Sequence, residues 1–71
     1  MKIYSLTLKD KIYLYFHEDR IKRITYLFPK VKKHQLDWFN ENELKIPLFF
    51  DRYVENYVDN LLLDYDLRRW K

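Results

Sequence analysis

The chain has 71 residues, no cysteine and a formal net charge of +3. This length suits one domain, near the lower limit at which a hydrophobic core holds a fold without disulfides or metal. The lack of cysteine excludes disulfides and thiolate zinc sites and favours a reducing compartment, so we expect a cytoplasmic protein. The longest uncharged apolar runs, residues 46–50 and 61–63, fall far short of the roughly 20 residues of a membrane span, and charge recurs too early for a secretory signal.

The first third of the chain has the two-residue period of β-strands. Residues 2–8 and 11–16 alternate apolar side chains between two faces, and Asp10 lies at the predicted tight turn between them. Residues 21–28 fit either a third strand or a helix opened by the acidic residues before them. Their β-branched and aromatic content favours the strand, which Pro29 would end.

Two helices are predicted in the remainder of the chain. Residues 33–43 suggest a short helix, and residues 48–65 show the clearest helical period. The apolar stripe of this long helix consists of Phe50, Val54, Tyr57, Val58, Leu61 and Tyr65. The sequence therefore predicts a single α+β domain over residues 1–71: a three-stranded antiparallel meander, a short helix, and a long C-terminal amphipathic helix packed on one face of the sheet.

No pattern in the sequence indicates an enzyme. His17, Glu18 and Asp19 are types used in acid–base catalysis, but consecutive residues in a turn point in different directions. There is no nucleophile elbow, Gly-rich phosphate loop or metal-ligand spacing, so we expect no catalytic residue, no metal and no cofactor. A distant alternative is a small ribonuclease-type toxin in which His17 and His34 act on RNA.

Charge is segregated along the chain. Residues 1–35 carry nine Lys or Arg against three acids, and residues 36–71 carry five against eight. A nucleic-acid-binding accessory protein is therefore one alternative, with phosphate contacts from a basic run. The cations of this run are Arg20, Lys22, Arg23, Lys30, Lys32 and Lys33. On a strand, neighbouring cations would point to opposite faces, so we expect only weak, non-specific nucleic-acid binding.

The predicted sheet has more apolar surface than the long helix can cover, so either the short helix packs over its second face or that face is exposed for partner binding. We expect this face to centre on Tyr13 and Tyr15, with Arg23 at its edge, because Tyr and Arg dominate binding hot spots. The residues Asp51, Glu55 and Asp59 form a second candidate, a row of carboxylates on the long helix. A third candidate is Trp70 near the C-terminus.

The overall profile is similar in kind to small phage inhibitors such as anti-CRISPR proteins. The shared features are a short chain, residues with A/T-rich codons in place of Gly and Ala, segregated charge and no catalytic motif. This similarity implies a non-enzymatic protein that blocks a functional surface of a host protein, for example one that binds nucleic acid. The predicted exposed face also permits a homodimer, and the short apolar runs predict no attachment to a membrane.

Overall fold

A computed structural model describes residues 3–69 of the chain. Within this range it contains three helices and no β-strand: α1 (Leu8–Phe16), α2 (Arg20–Glu41) and α3 (Phe50–Arg69). The molecule is elongated, measuring 38 × 20 × 18 Å along its principal axes. The predicted α+β fold is therefore wrong, because all three predicted strands lie wholly or largely in helices or in the irregular segment before α1.

Helix α1 begins at a capping box that the strand prediction missed. The backbone N–H of Asp10 donates to Oγ1 of Thr7 at 3.2 Å, and Oδ2 of Asp10 accepts from the N–H of Thr7 at 3.2 Å. This reciprocal pair satisfies two backbone donors that the first turn otherwise leaves without partners. Asp10, predicted at a turn between strands, therefore lies in the first turn of a helix.

Along one side of helix α2, every fourth residue is buried. Asp19 caps its start, with Oδ1 accepting from the N–H of Ile21 at 2.9 Å. The fully or almost fully buried positions are Arg23, Leu27, Val31, Gln35 and Phe39. Two of the five are polar, so the stripe is poorly visible as a hydrophobic pattern.

Pro29 lies inside α2 and does not end it, contrary to the prediction. A proline removes one helical hydrogen bond, here the bond that the carbonyl of Thr25 would accept. Both residues are exposed, so water can satisfy that carbonyl. The predicted short helix over residues 33–43 is the second half of α2.

A Schellman turn ends α2. The N–H of Leu44 donates to the carbonyl of Phe39 at 2.9 Å, and the N–H of Glu43 donates to that of Asn40 at 3.2 Å. Glu43 adopts a left-handed φ of 54° at the position where Gly is usual.

Helix α3 confirms the predicted long C-terminal helix. Phe50, Val54 and Val58 of the predicted stripe are buried, while its other three members are half-buried. The core residues of α3 are Phe50, Val54, Val58 and Leu62, and they pack against the buried apolar residues of α2. The only residue that α1 adds to this fully buried core is Leu14.

Polar contacts show how the three helices run. Asp10 meets Lys30, and the carbonyl of Leu14 meets Arg23, so α1 runs antiparallel to the first half of α2. Helix α3 runs antiparallel to α2. Residues 3–7 before α1 are irregular, and the N–H of Tyr4 donates to the hydroxyl of Tyr57 on α3 at 2.7 Å. The fold is an up-down-up bundle with a short first helix.

Candidate functional site

An apolar stripe on α1 faces solvent. Its members are Leu8, Ile12, Tyr15 and Phe16, which follow the i, i+4, i+7, i+8 spacing of one helix face. Their exposed fractions are 75, 51, 58 and 73 %, respectively. The inward side of α1 carries Asp10 and Leu14, both fully buried. The stripe, hereafter the α1 stripe, is therefore not part of the core.

Cations flank the α1 stripe on both sides. Lys9 and Lys11 are exposed, and the helical period places them at opposite edges of the stripe. The one carboxylate of α1 is that of Asp10, which is buried. The exposed face of α1 is thus apolar in the middle and positively charged at its edges, a pattern typical of contact surfaces.

Of the three residues predicted to form a partner surface, only Tyr15 lies on the α1 stripe. Tyr13 is half-buried, and its ring stacks between those of Tyr26 (centroids 3.9 Å apart) and His17 (4.1 Å apart). Arg23 was expected at the edge of an exposed face, but it is 5 % exposed. The structure therefore does not bring these three residues together on one surface.

The guanidinium of Arg23 joins all three helices. Nε donates to the carbonyl of His17 at 2.6 Å, and Nη2 donates to that of Leu14 at 2.8 Å. These carbonyls lie at the C-terminal end of α1, where they lack helical partners and carry partial negative charge. Nη1 donates to Oδ1 of Asp66 on α3 at 2.8 Å. The geometry gives Arg23 a structural role.

Polar groups around the buried carboxylate of Asp10, hereafter the Asp10 cluster, fix the N-terminal end of α1. Oδ2 of Asp10 accepts from the hydroxyl of Tyr4 at 2.7 Å as well as from the N–H of Thr7. Oδ1 accepts from Nζ of Lys30 at 2.9 Å and from the hydroxyl of Tyr26 at 3.0 Å. Burial alone would raise the pKa of Asp10, but these hydrogen bonds outweigh it and lower the pKa to about 2.

The Asp10 cluster is poorly suited to acid–base catalysis. Burial and the hydrogen bond to Asp10 raise the pKa of Tyr4 to about 12, while the hydrogen bonds to Tyr26 and Asp10 raise the pKa of Lys30. These shifts hold Tyr4, Asp10 and Lys30 in their ordinary charge states at neutral pH, and both oxygens of Asp10 accept hydrogen bonds. A catalytic acid or base needs a pKa near the working pH and access to substrate.

The basic run is largely paired within the molecule. Arg20 contacts Asp59 at 3.0 Å and Lys32 contacts Asp51 at 2.8 Å, both across the α2–α3 interface. Together with Arg23–Asp66 and Lys30–Asp10, four of the six cations face a carboxylate. Lys22 and Lys33 are exposed on α2. The uneven charge of the two halves of the sequence thus corresponds in large part to pairing between α2 and α3.

Two of the three carboxylates of the predicted acidic row are also paired within the molecule. Asp51 and Asp59 hold cations of α2, so they contribute less free charge than a solvated row of carboxylates would. Glu55 is exposed. Trp70, the remaining predicted contact, lies outside the described residues.

The two histidines have separate surroundings. His17 lies in the α1–α2 connection, and its Nδ1 is 3.0 Å from the carbonyl of Tyr13 in α1. His34 lies far along α2, about 20 Å from the start of that helix at 1.5 Å per residue, and its ring meets that of Tyr4 edge to face. Among residues 3–69, no group of three His, Cys, Asp or Glu could hold a metal ion.

A groove of about 530 Å³ lies between α3 and the irregular segment that precedes α1. Its apolar lining includes Leu6 and Leu61, and its charged residues are Lys11, Asp64 and Arg68. It contains one carboxylate and no imidazole, so it lacks the paired groups of a hydrolytic site.

A second group of exposed apolar residues follows α2, and it was not predicted as a contact surface. Its members, hereafter the connector patch, are Leu44, Ile46, Leu48, Phe49 and Tyr53. Leu48 is 98 % exposed and Phe49 76 %. The available signal was the uncharged run over residues 46–50, of which we interpreted only residues 48–50 as the start of a core-facing helix.

Comparison with family models, curated proteins and solved structures finds no match to this chain. Across the helices of the described range, none is long and apolar enough to cross a membrane.

Proposed function

We propose that this chain is a non-enzymatic binding protein that attaches to another protein through the α1 stripe. The observation that carries the proposal is the exposure of four large apolar side chains on one side of a nine-residue helix. Ordinary surface helices turn such a stripe toward the core. Here α1 uses its other side for the core, so the stripe is available for a partner.

The edges of the stripe indicate the chemistry of the partner. Lys9 and Lys11 would meet carboxylates at the rim of an apolar surface on the target, which favours correct orientation and faster association. Aromatic side chains such as Tyr15 and Phe16 supply large contact areas at low entropic cost. We therefore propose a target that presents an apolar surface bordered by Asp or Glu.

Inhibition of a host protein is the biological role we propose for this contact. Support comes from the sequence profile, which is similar in kind to that of small phage inhibitors, and from the lack of a suitable acid–base group in the Asp10 cluster. A surface bordered by carboxylates also occurs on proteins that bind cationic partners. Binding of the α1 stripe there would block the natural partner.

The pairing of the basic run argues against nucleic acid as the main partner. Paired cations release fewer counterions when they approach phosphates, so their contribution to affinity falls. The separate surroundings of the two histidines argue against the ribonuclease alternative, because general acid and base must both reach one substrate.

Site-specific photo-crosslinking tests this proposal. A photoreactive amino acid replaces Ile12 on the α1 stripe, and a matched control replaces Thr25 on the exposed side of α2; both variants are expressed in the native host. We expect adducts with one discrete protein from position 12, none from position 25, and loss of the adduct when Lys9 and Lys11 are both changed to Glu. The same adducts from both positions would contradict the proposal.

The affinity for the crosslinked protein provides the quantitative test. Ile12→Ala should weaken binding by about 2 kcal/mol, or about 30-fold, if Ile12 is a hot spot. Thr25→Ala, the matched control, should leave the affinity unchanged. Equal effects of the two substitutions would contradict a contact centred on α1.

A further inference from the structure

We infer that α1 and the segment before it, residues 3–16, detach from α2 and α3 as one unit while the other two helices stay folded. This unit is hereafter the α1 arm. Because the α1 stripe is part of the arm, detachment would remove the surface that the proposed function requires, and this consequence rests on that proposal.

The hydrophobic core lies almost entirely between α2 and α3. In the described part of the chain, all the buried apolar residues except Leu14 belong to these two helices. The α1 arm otherwise contributes side chains that are only half-buried, among them Tyr4, Leu6 and Tyr13, whose ring stacks on that of Tyr26. Since apolar burial is the main favourable term in folding, detachment of the arm loses a small part of it.

Polar junctions at its two ends hold α1 on α2. At one end Oδ1 of Asp10 accepts from Nζ of Lys30 at 2.9 Å, and at the other Nη2 of Arg23 donates to the carbonyl of Leu14 at 2.8 Å. Detachment exposes these groups to water, and Arg23 keeps its ion pair with Asp66. No charge of the two junctions is then left buried without a partner, so the large penalty of such a charge does not oppose detachment.

Helices α2 and α3 have caps and ion pairs that do not involve the α1 arm. Asp19 caps the start of α2 with its own side chain, and the Schellman turn ends the helix. Two further ion pairs join the helices directly, Arg20–Asp59 and Lys32–Asp51. With the buried apolar residues between them, α2 and α3 can therefore stay folded when the arm leaves.

A detached α1 does not keep the α1 stripe. Isolated helices shorter than about 12–15 residues are barely stable in water, and α1 has nine residues. Once α1 unfolds, its apolar side chains no longer share one face. A target that recognises this face binds only molecules with the arm docked, so the apparent affinity falls in proportion to the docked fraction.

Amide hydrogen exchange of the purified chain, resolved by residue with NMR, tests the inference. We expect the amides of Leu14 and Tyr15 to exchange at least about tenfold faster than that of Val58, after correction for intrinsic rates. Urea at low concentration should accelerate both, but α1 less steeply, because detachment exposes less surface than global unfolding. Equal protection of the two helices would overturn the inference. Exchange of α1 that is independent of urea would also overturn it, since this indicates fraying of single hydrogen bonds.

A core variant far from the α1 arm supplies a second test. Phe39 is buried and lies beyond Lys30 by about 14 Å along α2, at 1.5 Å per residue. Phe39→Leu weakens the core equally in the native state and in the state with the arm detached. It should accelerate exchange at Val58 about fivefold or more and leave Leu14 and Tyr15 within about twofold of wild type. Matched acceleration at all three amides would mean that the three helices open together, which overturns the inference.

These measurements use the purified protein without a target, so their failure is distinct from failure of the proposed function. Uniform protection together with crosslinks from position 12 would overturn detachment and support binding through a permanently docked α1. Faster exchange of α1 by the criteria above, without such crosslinks, would support detachment and contradict the proposed function.

Discussion

Replacement of Asp10 by Asn should destabilise the protein by an amount that depends on pH. The side chain of Asp10 is fully buried and accepts hydrogen bonds from Tyr4, Thr7, Tyr26 and Lys30. Removal of one member of a buried ion pair costs about 3–5 kcal/mol. Lys30 is 38 % exposed and keeps some hydration, so we expect a loss of about 2–3 kcal/mol near neutral pH.

The pKa of Asp10 gives an independent magnitude. Folding lowers this pKa from 3.8 to about 2, and each unit corresponds to about 1.4 kcal/mol. Because the folded-state pKa is the lower one, the contribution is present above pH 4 and is lost as the pH falls toward 2. The charge of Asp10 therefore contributes about 2–2.5 kcal/mol near neutral pH and almost nothing near pH 2.

Urea denaturation followed by far-UV circular dichroism measures both quantities. The free energies of unfolding of wild type and Asp10→Asn should differ by about 2–3 kcal/mol near pH 7 and by less than about 1 kcal/mol near pH 2. The control Asp37→Asn changes an exposed carboxylate of α2 and should stay within about 0.5 kcal/mol of wild type. A difference for Asp10→Asn that is the same at both pH values would show that the charge of Asp10 does not stabilise the fold.

Three further predictions concern the turn after α2, the core and the charges. Glu43→Gly should raise the unfolding free energy by about 0.5–1 kcal/mol in urea titrations, because Gly adopts the left-handed φ without strain; a lower value would argue against this turn. Val58→Ala should lower the unfolding free energy by about 2 kcal/mol because it leaves a cavity in the core. Leu63→Ala changes an exposed residue and should lower the unfolding free energy by less than about 0.5 kcal/mol. Similar losses for the two variants in thermal melts would contradict the core assignment. Duplex DNA should bind with a Kd weaker than about 10 µM at physiological salt. Changing Asp51 and Asp59 to Asn should strengthen that binding in fluorescence anisotropy titrations, since it frees two cations of α2; an unchanged Kd would contradict the neutralisation argument.

The long C-terminal helix was predictable because its apolar residues follow the helical period over many residues. A β-strand, with its period of two, does not fit such a long pattern. Residues 11–16 were not, since six mostly apolar residues fit a buried strand and a helix equally well. The decisive local signal was the pair Thr7 and Asp10, a capping box with Asp in place of the usual Glu. The prediction followed the alternation of Ile12 and Leu14 and did not consider this capping box.

The first half of helix α2 was interpreted as a strand, with a helix as the alternative, for a different physical reason. Its buried side includes Arg23 and Gln35, whose polarity conceals the stripe, and Pro29 suggests an end where the helix continues. Arg23 is buried because the last carbonyls of α1 and Asp66 of α3 together satisfy its guanidinium. Such compensation involves residues far apart in sequence, so propensity and periodicity cannot reveal it.

The candidate surface was predicted in part. A contact face on the segment around Tyr15 followed from an excess of apolar residues, and Tyr15 does lie on the α1 stripe. The assignment of Tyr13 and Arg23 to that face depended on strand geometry, in which residues two apart share a side. In the helix, Tyr13 instead turns toward Tyr26, and Leu8, Ile12 and Phe16 join Tyr15.

The unfolding free energy of Ile12→Glu shows whether the α1 stripe serves binding or folding. A glutamate in a core position would cost several kcal/mol, as an unpaired buried charge does. At an exposed position it should change the unfolding free energy by less than about 0.5 kcal/mol. We expect this small change for Ile12→Glu in urea titrations. Leu14→Ala, on the opposite side of α1, should lower the unfolding free energy by about 2–5 kcal/mol. A loss for Ile12→Glu as large as that for Leu14→Ala would contradict the account.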